Sequence, residues 1–327
     1  MSIGKVPDEW RSAIVTPVHK GGLASIISNY RPISLTSVAS KVMERVIVVS
    51  LLTYLRHRNQ ISKQQHGFLS GKSTTTNNLE SLADWTLTLK NRHLVDILYL
   101  DFAKAFNTVY HSKLFHKLRS FGINGNLLKW IQDLLANRTQ RIRIGTSLSG
   151  SCNLTSGVIQ GSRIGPLLFV LHSNDVVNTF NNAIESKLYA DDRKLYYEIM
   201  DEADNLILQY CRDDVLSWSK KWQLTISFKK CFSMQVGRSN TIPDPKYSLD
   251  DCLLPNLTTA KDLGVTIDNK LNFNANIFMI TGRAHIRAYL INNCFISRNT
   301  VISAGVRYLR KTHSRIRQQY LVTVYYH

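Results

Sequence analysis

The spacing of apolar residues predicts several amphipathic helices along this chain of 327 residues. Apolar side chains recur every three or four positions, which is typical of helices with one buried face, in residues 35–57, 112–122, 125–137 and 203–222. The positions of the first helix that are expected to face the core are Leu35, Val38, Val42, Val46 and Val49. Ser112 is the expected N-cap of the second helix, and Gly122 is expected to end it.

Strands are predicted where apolar residues run together or alternate with polar ones. The run Ile97–Leu100 is typical of a buried strand. Arg138–Ile144 alternates basic with apolar residues, which favours a strand with cations on one face. Residues 262–267 predict a further strand that leads to a last helical region, and beyond Asn274 the pattern fades into a basic segment.

Two adjacent carboxylates occupy the tip of a predicted hairpin. The segment Tyr189–Asp192 stands between two alternating runs, so Asp191 and Asp192 are expected in a tight turn between strands. Asp101 follows the apolar run described above and would lie at the end of a buried strand. Three carboxylates from two strand ends would suit hard divalent cations such as Mg²⁺. The alternative for the acidic pair alone is a solvated turn, where aspartate is common.

The segments around these acids form a set of motifs in a fixed order. They are Asn29–Leu35, Gln65–Phe68, Val95–Val109 and Ser156–Phe169. Together they closely resemble the reverse transcriptases of non-LTR (LINE-type, jockey-like) retrotransposons, from about Val6 to about Phe273. The resemblance implies an α+β, right-hand polymerase fold. Its fingers would occupy residues 1–90, its palm of antiparallel sheet backed by helices residues 91–273, and a partial or degenerate thumb residues 274–327.

The resemblance also implies a chemistry, the two-metal transfer of a nucleotide from a dNTP to the 3′ hydroxyl of a primer. Asp101, Asp191 and Asp192 match the metal ligands of the family, and Asp101 and Asp191 would bridge the ions most directly. The expected ion is Mg²⁺, with Mn²⁺ as the alternative. Lys230 matches a lysine proposed to protonate the pyrophosphate leaving group, although the adjacent Lys229 leaves the register open.

Five residues match positions that contact the nucleotide in this family. Phe106 would lie under the sugar and clash with a ribose 2′ hydroxyl, and its alternative role is that of an ordinary core phenylalanine. Gln160 and Gly161 would contact the nucleotide and the template. Lys20 and Arg31 would supply cations to the triphosphate, and each would equally serve as a surface charge. The motif Gln65–Phe68 would approach the template or primer.

The composition indicates a polyanionic partner. Lys and Arg outnumber Asp and Glu by 41 to 23, which gives a net charge of +18 and a pI of about 9.8. The expected partners are an RNA template and a DNA primer, although a solvated basic surface or a membrane-surface protein has the same charge. No apolar run approaches the ~20 residues of a membrane helix. The missing signal-peptide core and five scattered cysteines favour a reducing compartment, in the cytoplasm or nucleus.

Several substitutions near the acids depart from the family pattern. Asn107 replaces an aspartate, Ile159 a proline and His172 a tyrosine. Arg193 replaces a threonine and would place a cation beside Asp192, in competition with Mg²⁺. Because the chain opens within the expected fingers and its tail from about Val301 does not follow the family pattern, it is interpreted as a fragment or a decaying copy with an incomplete thumb.

Two other functions remain open at this stage. The main alternative is a catalytically weak or inactive nucleic-acid-binding remnant, which would keep the fold and the charge. RNA-templated RNA synthesis on the same palm is disfavoured by Phe106, whose ring would exclude the 2′ hydroxyl.

Overall fold

The chain folds into helices packed on two larger sheets and two small hairpins, an α+β arrangement. The computed structural model describes residues 4–180, 183–237 and 246–294. Within these ranges the helices are α1 (Val38–His57), α2 (Thr74–Lys90), α3 (His111–Ser120), α4 (Gly125–Leu135), α5 (Gly165–Ser173), α6 (Asp204–Trp222) and α7 (Asn274–Cys294). Short 3-10 helices occupy Asp8–Trp10, Ile27–Asn29, Ala105–Asn107, Asn174–Thr179 and Phe228–Lys230. The predicted α+β class is confirmed.

The strands described in these ranges are short and mostly antiparallel. They are β1 (Ser12–His19), β2 (Tyr30–Leu35), β3 (Leu94–Leu100), β4 (Arg138–Ile144), β5 (Ser147–Leu148), β6 (Cys152–Leu154), β7 (Glu185–Tyr189), β8 (Asp192–Ile199), β9 (Phe232–Val236), β10 (Ser248–Leu249), β11 (Cys252–Leu253), β12 (Thr259–Asp262) and β13 (Val265–Asp268). The predicted strands over 97–100 and 138–144 are confirmed as β3 and β4.

The central sheet has four antiparallel strands in the order β7-β8-β3-β9. Strand β3 is buried at every position because both faces of the sheet are covered. Ile97 and Tyr99 belong to the apolar cluster that includes Trp85 of α2. Leu98 and Leu100 alternate with them and belong to the larger cluster, to which α6 also contributes. The predicted helix over 203–222 therefore covers this sheet, as expected.

A second sheet brings together distant parts of the chain. Strand β1 pairs antiparallel with β2 and parallel with β4, and β5 and β6 pair with β4. Residues 138–154 therefore share a sheet with residues 12–35, although the sequence analysis placed them in different regions. The limits of fingers, palm and thumb remain predictions, and the whole of the predicted thumb beyond residue 294 lies outside the described residues.

Helix α1 is present, but the prediction of its buried face was wrong. Val38, Val42, Val46 and Val49 are exposed, Val46 by 60%. Leu35 is also exposed and lies on β2. The residues that face the core are Ser40, Glu44, Ile47, Leu51 and Leu55. Both sets recur at helical spacing on a helix that is apolar on more than one face, so the spacing alone does not distinguish them.

Three local details also differ from the prediction. Helix α3 begins at His111 after Tyr110, and no side-chain cap is present, so Ser112 is not its N-cap. The stretch 262–267 is a hairpin, because Leu263 and Gly264 take positive φ between β12 and β13. Helix α2 was not predicted, although Ser73 and Thr76 form a capping box at its start.

The remaining predicted helices are confirmed as α3, α4 and α6, and α3 ends just before Gly122. Gly122 takes a φ of +78° there, in agreement with its expected role at the helix end. Among the described residues, no helix combines the length and apolarity that a membrane span requires.

The two faces of α1 respond differently to substitution. We expect Val46→Ser to change the free energy of unfolding by less than about 0.5 kcal/mol, because Val46 is exposed. Leu51→Ala should lower it by about 2–5 kcal/mol, because Leu51 is buried and its truncation leaves a cavity. Urea denaturation of both variants measures the difference. Equal destabilisation by the two changes would instead place Val46 in the core.

Candidate active site

The predicted hairpin with carboxylates at its tip is confirmed. Strands β7 and β8 are joined by Ala190 and Asp191, and Tyr189 pairs with Asp192. Ala190 takes a φ of +58°, a left-handed conformation that is unfavourable for a residue with a Cβ. The two acids therefore lie at the tip and at the first residue of β8.

The register of the central sheet brings a third carboxylate to this edge. Leu100 at the end of β3 pairs with Arg193 of β8. Asp101 directly follows β3, and Asp192 directly precedes Arg193 on β8, so the two lie opposite each other just beyond the last pair of the ladder. Asp101 is distant in sequence from Asp191 and Asp192, yet the three acids converge at one end of the sheet.

The pKa values of Asp191 and Asp192 are raised, in part because the three acids lie close together. The pKa of Asp192 is raised to about 6, chiefly by partial burial and to a smaller extent by repulsion from Asp191 and Asp101. The residue nevertheless keeps an exposed surface. Burial also raises the pKa of Asp191, and Asp101 contributes to that rise. This mutual repulsion is what a bound cation would relieve.

Lys230 reaches the acidic cluster from another part of the sheet. It ends the 3-10 helix before β9, and its Nζ lies 2.9 Å and 3.1 Å from the two carboxylate oxygens of Asp101. The backbone N–H of Ser227 donates to the carbonyl of Asp101 at 2.8 Å, which ties the two segments together. Of the two adjacent lysines, Lys230 is therefore the one paired with the acids.

The three acids supply oxygen ligands, but in this structure they do not form a complete metal site. In residues 4–180, 183–237 and 246–294, no three acidic, histidine or cysteine side chains are arranged to hold a metal ion. Both carboxylate oxygens of Asp101 are bonded to Lys230. The donor type fits Mg²⁺ or Mn²⁺, since hard cations take carboxylate oxygens. Binding would require the Asp101 carboxylate to part from Lys230.

Phe106 is half-buried within an aromatic cluster. Its ring stacks on Phe169 with a centroid distance of 4.6 Å, and the edge of Phe68 approaches it at 6.1 Å. Phe68 comes from the segment before α2 and takes a φ of +59°. The sequence analysis assigned Phe68 to a motif but missed its contact with Phe106, because the two are distant in sequence.

Gln160 and Gly161 pack against β2. The backbone N–H of Ser34 donates to the carbonyl of Gln160 at 2.8 Å. A Cβ on Gly161 would lie 2.4 Å from the carbonyl oxygen of Ser34, so only glycine allows this approach. The Gln160 amide donates to Asn107 Oδ1 at 3.0 Å. Asn107 therefore retains a hydrogen-bond acceptor for Gln160 despite its departure from the family pattern.

Glu44 fixes the loop after Gly161 from the buried face of α1. Its carboxylate accepts hydrogen bonds from the backbone N–H groups of Arg163 and Ile164 at 2.6 Å and 3.2 Å, and from Ser40 Oγ at 2.8 Å. Glu44 was not among the predicted site residues, because the predicted buried face of α1 consisted of the valines. A carboxylate on the core side of an apolar helix was the signal that could have identified it.

Lys20 and Arg31 lie on the exposed hairpin of β1 and β2. Lys20 follows β1 and donates to the carbonyl of Ser28 at 3.4 Å, and Arg31 is paired with Val18 in the ladder. No ion pair joins either residue to the acidic cluster within the described part of the chain. Their predicted role at the triphosphate remains untested.

Arg193 makes no hydrogen bond or ion pair with the carboxylates in the described part of the chain, although Asp191, Asp192 and Asp101 act on its charge through space. Its side chain is buried on the other face of β8, with the guanidinium 4.0 Å from the centroid of Phe102 and 5.7 Å from that of Trp218. None of its three side-chain nitrogens has a hydrogen-bond partner. Burial lowers its pKa to about 9.

A cavity of about 180 Å³ opens next to the acids, between the central sheet and the β12–β13 hairpin. Its wall combines the basic residues Lys187, Arg193, Lys194, Lys230 and Lys261 with the acids Asp101, Asp192 and Asp262. Lys194 is buried and bonded to Asp262 of the hairpin at 2.6 Å and to Asn78 of α2 at 3.0 Å. The hairpin is thus tied to β8, the strand that carries Asp192.

The sequence matches the family described as reverse transcriptase (RNA-dependent DNA polymerase) over residues 18–267. Two curated relatives from Drosophila melanogaster are a probable RNA-directed DNA polymerase from transposon X-element, 28% identical over 297 residues, and the RNA-directed DNA polymerase from mobile element jockey, 27% identical over 290 residues. The alignments cover 86% and 85% of this chain but 31% of each relative. The chain therefore spans about a third of the length of these relatives.

Solved structures with a similar fold include telomerases. The apo telomerase from Candida tropicalis aligns with a TM-score of 0.55 at 11% identity and covers 98% of this chain and 59% of that chain. A form of it truncated from the C-terminal domain aligns with a TM-score of 0.54 at 10% identity, covering 82% and 55%. At such identity the likeness concerns the fold alone, and it confirms the right-hand polymerase fold.

The raised pKa of Asp192 makes stability depend on pH. An aspartate in the unfolded chain titrates near pH 3.9, so between about pH 4 and pH 6 the native protein keeps a proton that the unfolded chain has released. Stability contributed by this group therefore falls as pH rises through that window. We expect the melting temperature of the metal-free wild type to fall more, from about pH 4.5 to about pH 7, than that of Asp192→Asn.

The matched control is Asp251→Asn, which alters an exposed aspartate next to β11. This variant should keep the pH dependence of the wild type. Calorimetric melting at both pH values measures the three proteins, and identical pH dependence in wild type and Asp192→Asn would contradict the raised pKa.

Proposed function

Because this chain belongs to the reverse transcriptase (RNA-dependent DNA polymerase) family, we propose that it acts as the RNA-directed DNA polymerase of a non-LTR retrotransposon. The observation that carries the proposal is the pairing of β3 with β8, which sets Asp101 opposite Asp192 and next to Asp191. Three carboxylates at one sheet edge suit the transfer of a nucleotide from a dNTP to a primer 3′ hydroxyl.

In this proposal Asp101, Asp191 and Asp192 would together hold two divalent cations. When bound, two divalent ions would stabilise the attacking and leaving oxygens of the displacement. Lys230 would leave Asp101 as the cations bind and would then be free to donate a proton to the pyrophosphate oxygen. Its contact of 2.9 Å with Asp101 supports this assignment, because the ammonium group lies beside a proposed metal ligand.

The nucleotide would be positioned by residues from both sides of the cleft. Phe106 would stand under the sugar, where its ring is fixed by stacking on Phe169. Gln160 and Gly161 would face the nucleotide and template, in a loop held by Ser34 and Glu44. Lys20 and Arg31 remain proposed contacts of the triphosphate, at the exposed hairpin of β1 and β2.

The proposed partners are an RNA template and a DNA primer. A net charge of +18 supports binding to a polyanion, and the lysine-lined cavity beside the acids places part of that charge near the site. A telomerase of similar fold was solved in complex with a fragment of telomeric RNA. The likeness supports an RNA-binding cleft in this chain as well.

A second candidate function is a catalytically weak or inactive nucleic-acid-binding remnant. It is favoured by the bonding of both Asp101 carboxylate oxygens to Lys230. Asn107 also lacks the charge of the aspartate that stands there in the family. Such a protein would bind primer and template without extending the primer.

Primer extension on an RNA template distinguishes the two candidates. We expect the wild type to extend a DNA primer with Mg²⁺ and dNTPs. Asp101→Asn and Asp191→Asn should each lower the rate by at least about 100-fold, because each removes a charge that stabilises the metal ions. Gel analysis of extended products measures the rate.

Two controls accompany this experiment. Asp251→Asn removes an exposed aspartate outside the site and should extend at the wild-type rate. Primer-template affinity, measured by fluorescence anisotropy, should be similar in all variants. Binding without extension in the wild type would favour the remnant, and equal extension by the wild type and both site variants would refute the assigned acids.

Phe106 provides a separate test of nucleotide selection. Phe106→Val should lower the preference for dNTP over rNTP by at least about tenfold, because it opens space for the 2′ hydroxyl. Phe115→Val removes another half-buried ring, on α3, and is the control. The ratio of kcat/KM for dNTP and rNTP measures the preference. An unchanged ratio in Phe106→Val would assign Phe106 to the core alone.

A further inference from the structure

The segment 64–67, which precedes α2, is hydrogen-bonded to the outer strand of the catalytic hairpin. Leu188 of β7 donates to the carbonyl of Gln64 at 2.9 Å, and its own carbonyl accepts from the N–H of His66 at 2.8 Å. Gln65 and Leu188 form a parallel bridge. The family resemblance predicts that this segment approaches the template or primer. In the structure it packs against the strand that leads to the carboxylates.

The side chain of Gln65 continues this contact to the tip of the hairpin. Its Oε1 accepts a hydrogen bond from the backbone N–H of Ala190 at 3.2 Å and another from Gly67 at 2.7 Å. Gln65 is 1% exposed. The contact is therefore shielded from water, which would otherwise compete for the Ala190 N–H.

Two neighbours keep Gln65 close to the tip. A Cβ on Gly67 would lie 2.5 Å from the backbone nitrogen of Ala190, so the approach requires glycine. Asn77 of α2 donates to the carbonyl of Leu188 at 3.2 Å. The hairpin is thus held along its side as well as at its tip.

The conformation of Ala190 needs such support. Its φ of +58° is unfavourable for a residue with a Cβ and persists only where the surroundings impose it. Asp191 follows directly, and Asp192 begins β8. A relaxation of Ala190 would move both carboxylates relative to Asp101.

We propose that Gln65 is a positioning residue for the carboxylates of the hairpin, through its hydrogen bond to the Ala190 N–H. The role in metal binding and catalysis rests on the function proposed above. Gln65 touches neither nucleotide nor metal, and acts by fixing the turn that presents Asp191 and Asp192.

Hydrogen exchange at the Ala190 amide tests the contact directly in the full chain. Gln65→Met keeps the length of the side chain but removes the acceptor, and Gln65→Asn is too short to reach. Both variants should exchange the Ala190 amide at least about tenfold faster. Gln65→Glu retains an acceptor oxygen and should keep the amide protected. Gln64→Met is the control, because the Gln64 side chain bonds to Ser62 instead.

Metal binding and extension then test the positioning role. Mn²⁺ alone, titrated by electron paramagnetic resonance, should bind Gln65→Met and Gln65→Asn about tenfold more weakly than the wild type, the usual cost of losing a residue that orients metal ligands. The Mg²⁺ concentration for half-maximal primer extension should rise by a similar factor. Primer-template affinity should stay unchanged.

The possible outcomes separate this proposal from the proposed function. Unchanged Ala190 exchange in a folded Gln65→Met or Gln65→Asn would overturn the contact. Faster exchange with unchanged Mn²⁺ affinity would overturn the positioning role, as would equal effects in Gln64→Met. A wild type that binds Mn²⁺ but does not extend primers would refute the polymerase activity alone. Absence of Mn²⁺ binding by the wild type would refute both.

Discussion

The register between β3 and β8 is the constraint on which the site depends. Leu100 pairs with Arg193, and this single alignment sets Asp101 opposite Asp192 at the end of the sheet. A shift by one residue would turn every side chain of β3 to the opposite face. Such a shift is opposed on both sides, because Ile97 and Leu98 fill different apolar clusters. The packing of the core thereby determines the geometry of the acids.

Much of the fold could be predicted from the sequence, because strands and hairpins leave local signals. The run before Asp101 and the alternation around Asp191 and Asp192 identified β3, β7 and β8. The buried face of α1 could not be predicted, since Val46 and Leu51 both belong to sets with helical spacing. The pattern of residues 262–267 predicts one strand rather than the observed hairpin, because the apolar pattern continues through the turn.

Most features of the site that could not be predicted from the sequence are contacts between distant segments. The bond from Ala190 to Gln65 and the bonds from Arg163 and Ile164 to Glu44 join residues more than a hundred positions apart. Arg193 was misplaced for a related reason. Alternation along β8 turns its side chain into the core, where the guanidinium packs on aromatic rings and the acids act on it only through space.

The parallel pairing of β1 with β4 has a consequence for how the chain folds during synthesis. Ser12 pairs with Thr139, so the second sheet cannot close until most of the first half of the chain has left the ribosome. At typical rates of synthesis this delay is on the order of ten seconds. During that time the edge of β1 that β4 later covers stays unpaired, and it is open to strands of neighbouring nascent chains. Chaperone binding to β1 would therefore favour a correctly assembled second sheet.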